Sequence, residues 1–152
     1  MNQETIEKIL DIYPPFLFVD KVIDKEIGSK IVTETKITKD SWFFESHLTK
    51  SPVMPGVLIT EMMLQTSMLL IYKDDILKED NRGFVHTFDV TLKRPIAISE
   101  CPIKLKTTSS LISSKRGISI LESEVTIAGK SLLVSKGKIQ HVIPVSIRGN
   151  IK

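Results

Sequence analysis

Hydrophobic positions recur with different periods along the chain. Near the start, Ile6, Ile9, Leu10 and Tyr13 stand at helical spacing, which predicts a short helix within residues 1–14, capped by Asn2 and ended by Pro14-Pro15. Phe16 to Ile23 is rich in β-formers. Ile31 to Ile37 alternates Ile31, Thr33, Thr35 and Ile37 against Val32, Glu34 and Lys36, and Gly28 supplies a turn between the two segments, so the pair reads as a hairpin. Val57 to Ile71 is apolar with few interruptions and predicts one long buried helix over residues 55–73. A polar stretch from Lys73 to Gly83 follows. Strand patterns then return at about residues 84–92, 103–113, 118–128 and 132–143, with Gly117 and Gly129 marking turns. Without repeats or a linker, residues 1–152 read as a single α+β domain whose antiparallel sheet wraps the long helix.

One residue does not fit that helix. Glu61 sits in the apolar run, and the only polar neighbour on its face is Gln65, at i+4. A glutamate in a helix usually marks a solvated stripe, but here no other charge occurs until Lys73. A carboxyl among Leu, Ile and Met loses hydration, which raises its pKa and favours the protonated form. A poised acid is the expected role. The run is too interrupted for a membrane span, which needs about 20 apolar residues.

The loop before the helix supplies the other groups. His47 precedes Glu61 by 14 positions, and Pro55-Gly56 opens the helix. Pro55 suits the first helical position, and the free N–H groups of Gly56 and Val57 can meet an oxygen that gains negative charge. A Pro-Gly helix start is usually structural, and a lone loop histidine is usually exposed. Together with Glu61 they offer a base, an oxyanion donor and an acid.

Composition narrows the alternatives. A net charge of +3 is too mild to argue for nucleic acid, and aromatic and basic residues do not interleave as in a single-strand binder. One cysteine, Cys101, cannot form an internal disulfide and reads as a packing residue, and three scattered histidines form no metal-ligand pattern. His86 and His141 have no evident role. The polar, acidic start lacks the pattern of a secretory signal, so a cytoplasmic location is expected.

The segment Phe43-Phe44-x-x-His47, followed by Pro52-Val53-Met54-Pro55-Gly56-Val57-Leu58-Ile59-x-Glu61-Met62-x-x-Gln65, resembles the active-site region of the bacterial 3-hydroxyacyl-acyl-carrier-protein dehydratases, the FabZ/FabA family. Tyr13 to Val22 is similar to the family's opening segment, Lys93-Arg94-Pro95-Ile96 to its KRPV segment, and Arg116-Gly117-Ile118 to its next hairpin. The resemblance covers roughly residues 6–140. It implies a hot-dog fold, a homodimer or trimer of dimers, and a site shared between protomers. In that site His47 and Glu61 would be catalytic, Gly56 would bind the thioester carbonyl and Gln65 would stand near the acid. Glu61 rather than aspartate favours the FabZ branch.

The implied reaction removes water from a 3-hydroxyacyl thioester in fatty acid or specialised lipid or polyketide-like synthesis. It uses no cofactor or metal. The substrate would be carried on the phosphopantetheine of an acidic acyl carrier protein, with Lys93, Arg94, Lys115 and Arg116 as possible contacts that otherwise read as solvated surface. Ser46-His47-Leu48-Thr49 departs from the family's Gly-His-Phe-Pro, Ala97-Ile98-Ser99-Glu100 replaces its PGD turn, and Ile12-Tyr13 its His-Arg pair. Two rivals follow from these departures and from the fold: a non-catalytic subunit that binds a carrier or an active paralogue, and a thioesterase using Glu61 to direct water.

Overall fold

The structure is a computed structural model that describes residues 1–72 and 83–143. The elements run α1 (Gln3–Leu10), β1 (Lys21–Glu26), β2 (Lys30–Ile37), α2 (Gly56–Ile71), β3 (Phe84–Leu92), β4 (Ile103–Lys115), β5 (Ile118–Ile127) and β6 (Leu132–Val142). The strands form one antiparallel sheet in the order β1-β2-β4-β5-β6-β3. The helix α2 lies against it, which is the hot-dog arrangement expected from the sequence.

A helix with apolar residues on most of its faces is stable only when covered on most of them. Leu58, Ile59, Met62 and Met63 of α2 pack with Leu105, Val125, Ile127, Val134 and Ile139 of the sheet. Further along, Leu69 and Leu70 meet Ile6, Ile9 and Leu10 of α1, together with Ile31 and Leu121. The polar residues of α2 turned toward the sheet find hydroxyl partners. Thr66 pairs with Thr33 at 2.8 Å. Ser67 donates to the Met63 carbonyl at 2.8 Å, so its oxygen accepts from Ser109, at 3.0 Å, and Ser109 in turn accepts from Ser123, at 2.8 Å. One proton per hydroxyl fixes that direction.

Three expected boundaries move. The first helix ends at Leu10, before the prolines, because Asp11 takes a left-handed conformation with φ of 53°. Its start is as expected, with the Asn2 side chain accepting from the Thr5 N–H at 3.0 Å. The central helix begins at Gly56 with Pro55 as its N-cap, φ −55° and ψ 128°, rather than with Pro55 inside the first turn, and it closes at Ile71. The first strand begins at Lys21, not Phe16. Residues 16–20 are irregular, and two of their backbone groups are served by a side chain: Gln65 accepts from the Phe18 N–H and donates to the Phe16 carbonyl, both at 2.8 Å. The polar stretch Lys73–Gly83 lies outside the described residues except for Gly83. The four later strands fall where their alternation put them, and Gly28, Gly117 and Gly129 take positive φ in the turns between strands.

His141, given no role by the sequence, is buried on β6, with its Nε2 3.2 Å from the Tyr72 hydroxyl at the end of α2. Burial pushes its pKa down from 6.5 to about 4. Between those values the unfolded chain binds the proton and the native chain resists it, so stability is complete above the unfolded value and is lost as pH falls through the window. The gap corresponds to about 3 kcal/mol. Urea melts at about pH 7 and about pH 4.5 should show this loss, and His141→Phe should flatten it. An undiminished slope in the variant would assign the acid sensitivity to other groups.

Candidate active site

The loop from Trp42 to Pro55 is held at both ends. Phe43 and Phe44 form a buried 3-10 turn that anchors its start in the core. Near its end the backbone pairs with the segment after β3: Met54 N–H donates to the Ile96 carbonyl at 2.8 Å, and Ile98 N–H to the Pro52 carbonyl at 3.0 Å. Between these anchors, Leu48 takes a positive φ of 52° and the chain turns, with the Ser51 N–H on the Leu48 carbonyl at 2.8 Å.

That path sets the histidine. His47 Nδ1 lies 2.9 Å from the Val53 carbonyl. A carbonyl can only accept, so Nδ1 carries a proton, and in the neutral imidazole the lone pair is then on Nε2. His47 and Gly56 line one cleft of about 260 Å³, with Val53, Met54, Leu92 and Arg94 among its other walls. At the start of α2, the N–H groups of Leu58 and Ile59 both reach back to the Pro55 carbonyl, at 2.9 and 3.4 Å. The Gly56 N–H is among the unsatisfied donors of the helix end. A Cβ on Gly56 would come within 2.4 Å of Leu92 Cδ1, so the cleft wall closes against a bare backbone there. Val57 is not a wall of this cleft, and its side chain is 75% exposed.

Glu61 does not line the cleft either. Five residues at 100° each place it about 140° around the helix from Gly56. It stands on a half-exposed stripe of α2 with Val57, Leu64 and Met68. Burial raises its carboxyl above the usual range, and a hydrogen bond from Gln65 partly offsets this. The buried Gln65 amide has one orientation only, because its oxygen takes the Phe18 N–H and its nitrogen the Phe16 carbonyl; the same nitrogen donates to Glu61 Oε1 at 2.9 Å. Oε1 is therefore held as an acceptor, and Oε2 is left to carry a proton.

The four basic residues do not form one patch. Lys115 ends β4 and Arg116 stands in the turn after it, at the end of the sheet where β3 begins, whereas Lys93 and Arg94 follow the last residue of β3. Strand rise separates the two pairs by about 25 Å. Lys93 is exposed, but Arg94 is a wall of the cleft, which its place among charged surface positions in the sequence did not reveal. Its one signal was Glu100, six residues on, which accepts from the Arg94 guanidinium. Cys101 packs in the core as expected.

Proteins similar to this chain in sequence or in fold include dehydratases and a thioesterase. The chain is 32% identical over 134 residues to 3-hydroxyacyl-[acyl-carrier-protein] dehydratase FabZ of Shewanella woodyi, covering 86% of this chain and 87% of that one. It is 28% identical to the enzyme of the same name from Ruminiclostridium cellulolyticum, over 94% of this chain and 97% of the other. Among solved structures, the dehydratase heterocomplex ApeI:P from Xenorhabdus doucetiae superposes with a TM-score of 0.69 at 15% identity, over 96% and 95% of the two chains. Zebra fish thioesterase superfamily member 2 superposes with 0.67 at 14% identity, over 95% and 99%. At such identities the structures show the fold alone. Residues 12–135 match the FabA-like domain family, and they include the loop of His47, all of α2 and the turn held by Glu100: the chain belongs to that family.

Proposed function

We propose that the chain is a 3-hydroxyacyl-[acyl-carrier-protein] dehydratase, acting on the thioester without a cofactor. The observation that carries this reading is the pairing of a histidine with a bare Nε2 and an open helix N-terminus in one cleft, on a chain whose α2 also presents a carboxyl raised by burial. In the reaction, His47 Nε2 takes a proton from C2 of the acyl group. The Gly56 N–H meets the thioester oxygen as charge grows on it, with the dipole of α2 behind it. Glu61 Oε2 gives its proton to the departing C3 hydroxyl, which leaves as water while the C2–C3 double bond forms. The turnover ends with His47 charged and Glu61 ionised, and proton exchange restores both. The Val57 N–H, the next donor along the helix end, has no support from the cleft's walls.

A second copy of the chain completes the site. Within one chain, Glu61 stands apart from the cleft of His47 and Gly56, and among the described residues both Glu61 and His47 keep part of their surface exposed. Phe88 of β3 is opposite the buried Ile139, so it points to the core side of the sheet, yet it is 56% exposed. Leu92 on the same side is 49% exposed. Among the described residues, β3 pairs on one side only, with β6. A partner seated against β3 and the Glu61 stripe would bring its own acid to this cleft, and pairing of free strand edges is a common route to such contacts.

Purified protein should convert a 3-hydroxyacyl carrier-protein thioester to the 2-enoyl form and run the hydration in reverse; a free acid as the only product would identify a thioesterase instead. Glu61→Gln should lower turnover by roughly a hundredfold to ten-thousandfold. The same variant should melt higher at neutral pH. The native carboxyl binds a proton more readily than the unfolded one, so the ionised group costs stability as pH rises above its unfolded value, and the neutral amide removes that cost. Near wild-type turnover in this variant would make Glu61 structural.

Mixed dimers test the shared site. Inactive His47→Ala and inactive Glu61→Gln chains, unfolded and refolded together, should regain activity, since one of the two sites in each mixed dimer then has both residues intact. If mixed dimers form and stay inactive, each site is built within one chain.

A further inference from the structure

Among the described residues, Arg94 is the one wall with a permanently charged side chain in the cleft that holds His47 and Gly56; the others besides His47 are Gly56, Pro95 and apolar residues. Its position is determined by several contacts. The backbone after β3 is tied to β6, with the N–H groups of Lys93 and Arg94 both on the Val134 carbonyl, at 2.8 and 3.3 Å. The guanidinium donates through Nη2 to Glu100 Oε1, and Glu100 Oε2 accepts from the Ala97 N–H at 2.8 Å. Both side chains are 29% exposed. Glu100 thus acts as a brace, fixed by the backbone on one oxygen and holding the arginine with the other.

An arginine tied only for charge balance on a surface is of little consequence. This one faces an apolar cleft. A guanidinium carries five N–H donors in a planar fork, and Glu100 engages one nitrogen. Arg94 lines the same cleft as Gly56, whose N–H is proposed to meet the thioester oxygen. A substrate with its carbonyl at Gly56 has its sulfur, and whatever the sulfur is attached to, in or beside this cleft.

The geometry points to Arg94 as a substrate-binding residue that recognises the arm beyond the sulfur, donating to an amide carbonyl of the pantetheine group. Glu100 is then a positioning residue, keeping the fork aimed and reducing its charge so that the cleft receives a neutral amide. This inference rests on the dehydratase reading and deepens it. It separates two features of the substrate: the acyl group, handled by His47, Gly56 and Glu61, and the carrier arm, handled by Arg94.

The test compares two thioesters of one acyl group, 3-hydroxyoctanoyl pantetheine and 3-hydroxyoctanoyl ethyl thioester, which lacks amides. The readout is the ratio of kcat/KM for the first to the second. Arg94→Ala should lower that ratio about tenfold, the scale of one lost hydrogen bond from a charged donor, with the loss falling on KM for the pantetheine substrate. Arg94→Lys, which keeps the charge but not the fork, should lower it in the same direction and serves if the alanine variant does not fold. Glu100→Gln should produce a smaller fall. A ratio that moves by less than threefold in both arginine variants, or a loss confined to kcat, overturns the assignment. Wild-type protein that turns over neither thioester nor the carrier-protein substrate would instead overturn the dehydratase reading, and the two failures are thereby distinct.

Discussion

The Gln65 carboxamide is the contact on which the acid side of this molecule depends. A buried amide must find partners for its oxygen and nitrogen or lose about 1–3 kcal/mol for each group left bare. Gln65 finds them in the Phe18 N–H, the Phe16 carbonyl and Glu61 Oε1. In doing so it serves two backbone groups for which an irregular segment has no strand partner, and it sets which oxygen of the acid can hold a proton. The neighbouring Thr35 hydroxyl takes the Phe18 carbonyl in the same region, so the segment from Phe16 to Phe18 is held by side chains of α2 and β2 rather than by a strand ladder. Positioning of the acid and docking of the N-terminal segment are one interaction.

The base side is built on a different principle. His47 and Gly56 come together because the loop between them is stitched to the residues after β3, and the Val53 carbonyl that orients the imidazole belongs to that stitched stretch. Backbone pairing therefore places His47 and Gly56, whereas side-chain bonding places the Glu61 carboxyl. The departures from the family pattern fall in these supports: Leu48 in place of phenylalanine stands in the turn at positive φ, and Glu100 occupies the turn that braces Arg94.

Much of this was legible from residue pattern. Alternation in the last four strands, glycine at the turns and the long, mostly apolar run of α2 are local signals, and the fold follows them. The motif from Phe43 to Gln65 contains His47 and Gly56, which the fold brings to one cleft, and Glu61, which it does not. What the pattern could not convey was direction around the helix: His47 and Glu61 are close in sequence and both belong to the motif, yet the helical turn puts the acid away from the cleft. Nor could it show that within Phe16 to Asp20, rich in β-formers, the Phe18 N–H and the Phe16 carbonyl are served by a distant glutamine. Arg94 was read as one of four similar cations because its surroundings come from Pro52 to Gly56 and from Glu100, which only the tertiary structure brings beside it.

The strand order has a consequence for synthesis of the chain. β3 is third in the first half of the sheet's sequence but last in space, and its partner is β6, the final strand. As the polypeptide emerges, Phe84, Phe88 and Leu92 are made well before any neighbour for them exists, while β4 and β5 form their own hairpin in the interval. Closing that long loop is slow compared with hairpin formation, and an unpaired apolar strand is prone to the wrong company meanwhile. The strand proposed to meet a second copy at its open edge is thus also the last to find its place within its own chain, so assembly on that edge would have to follow completion of β6.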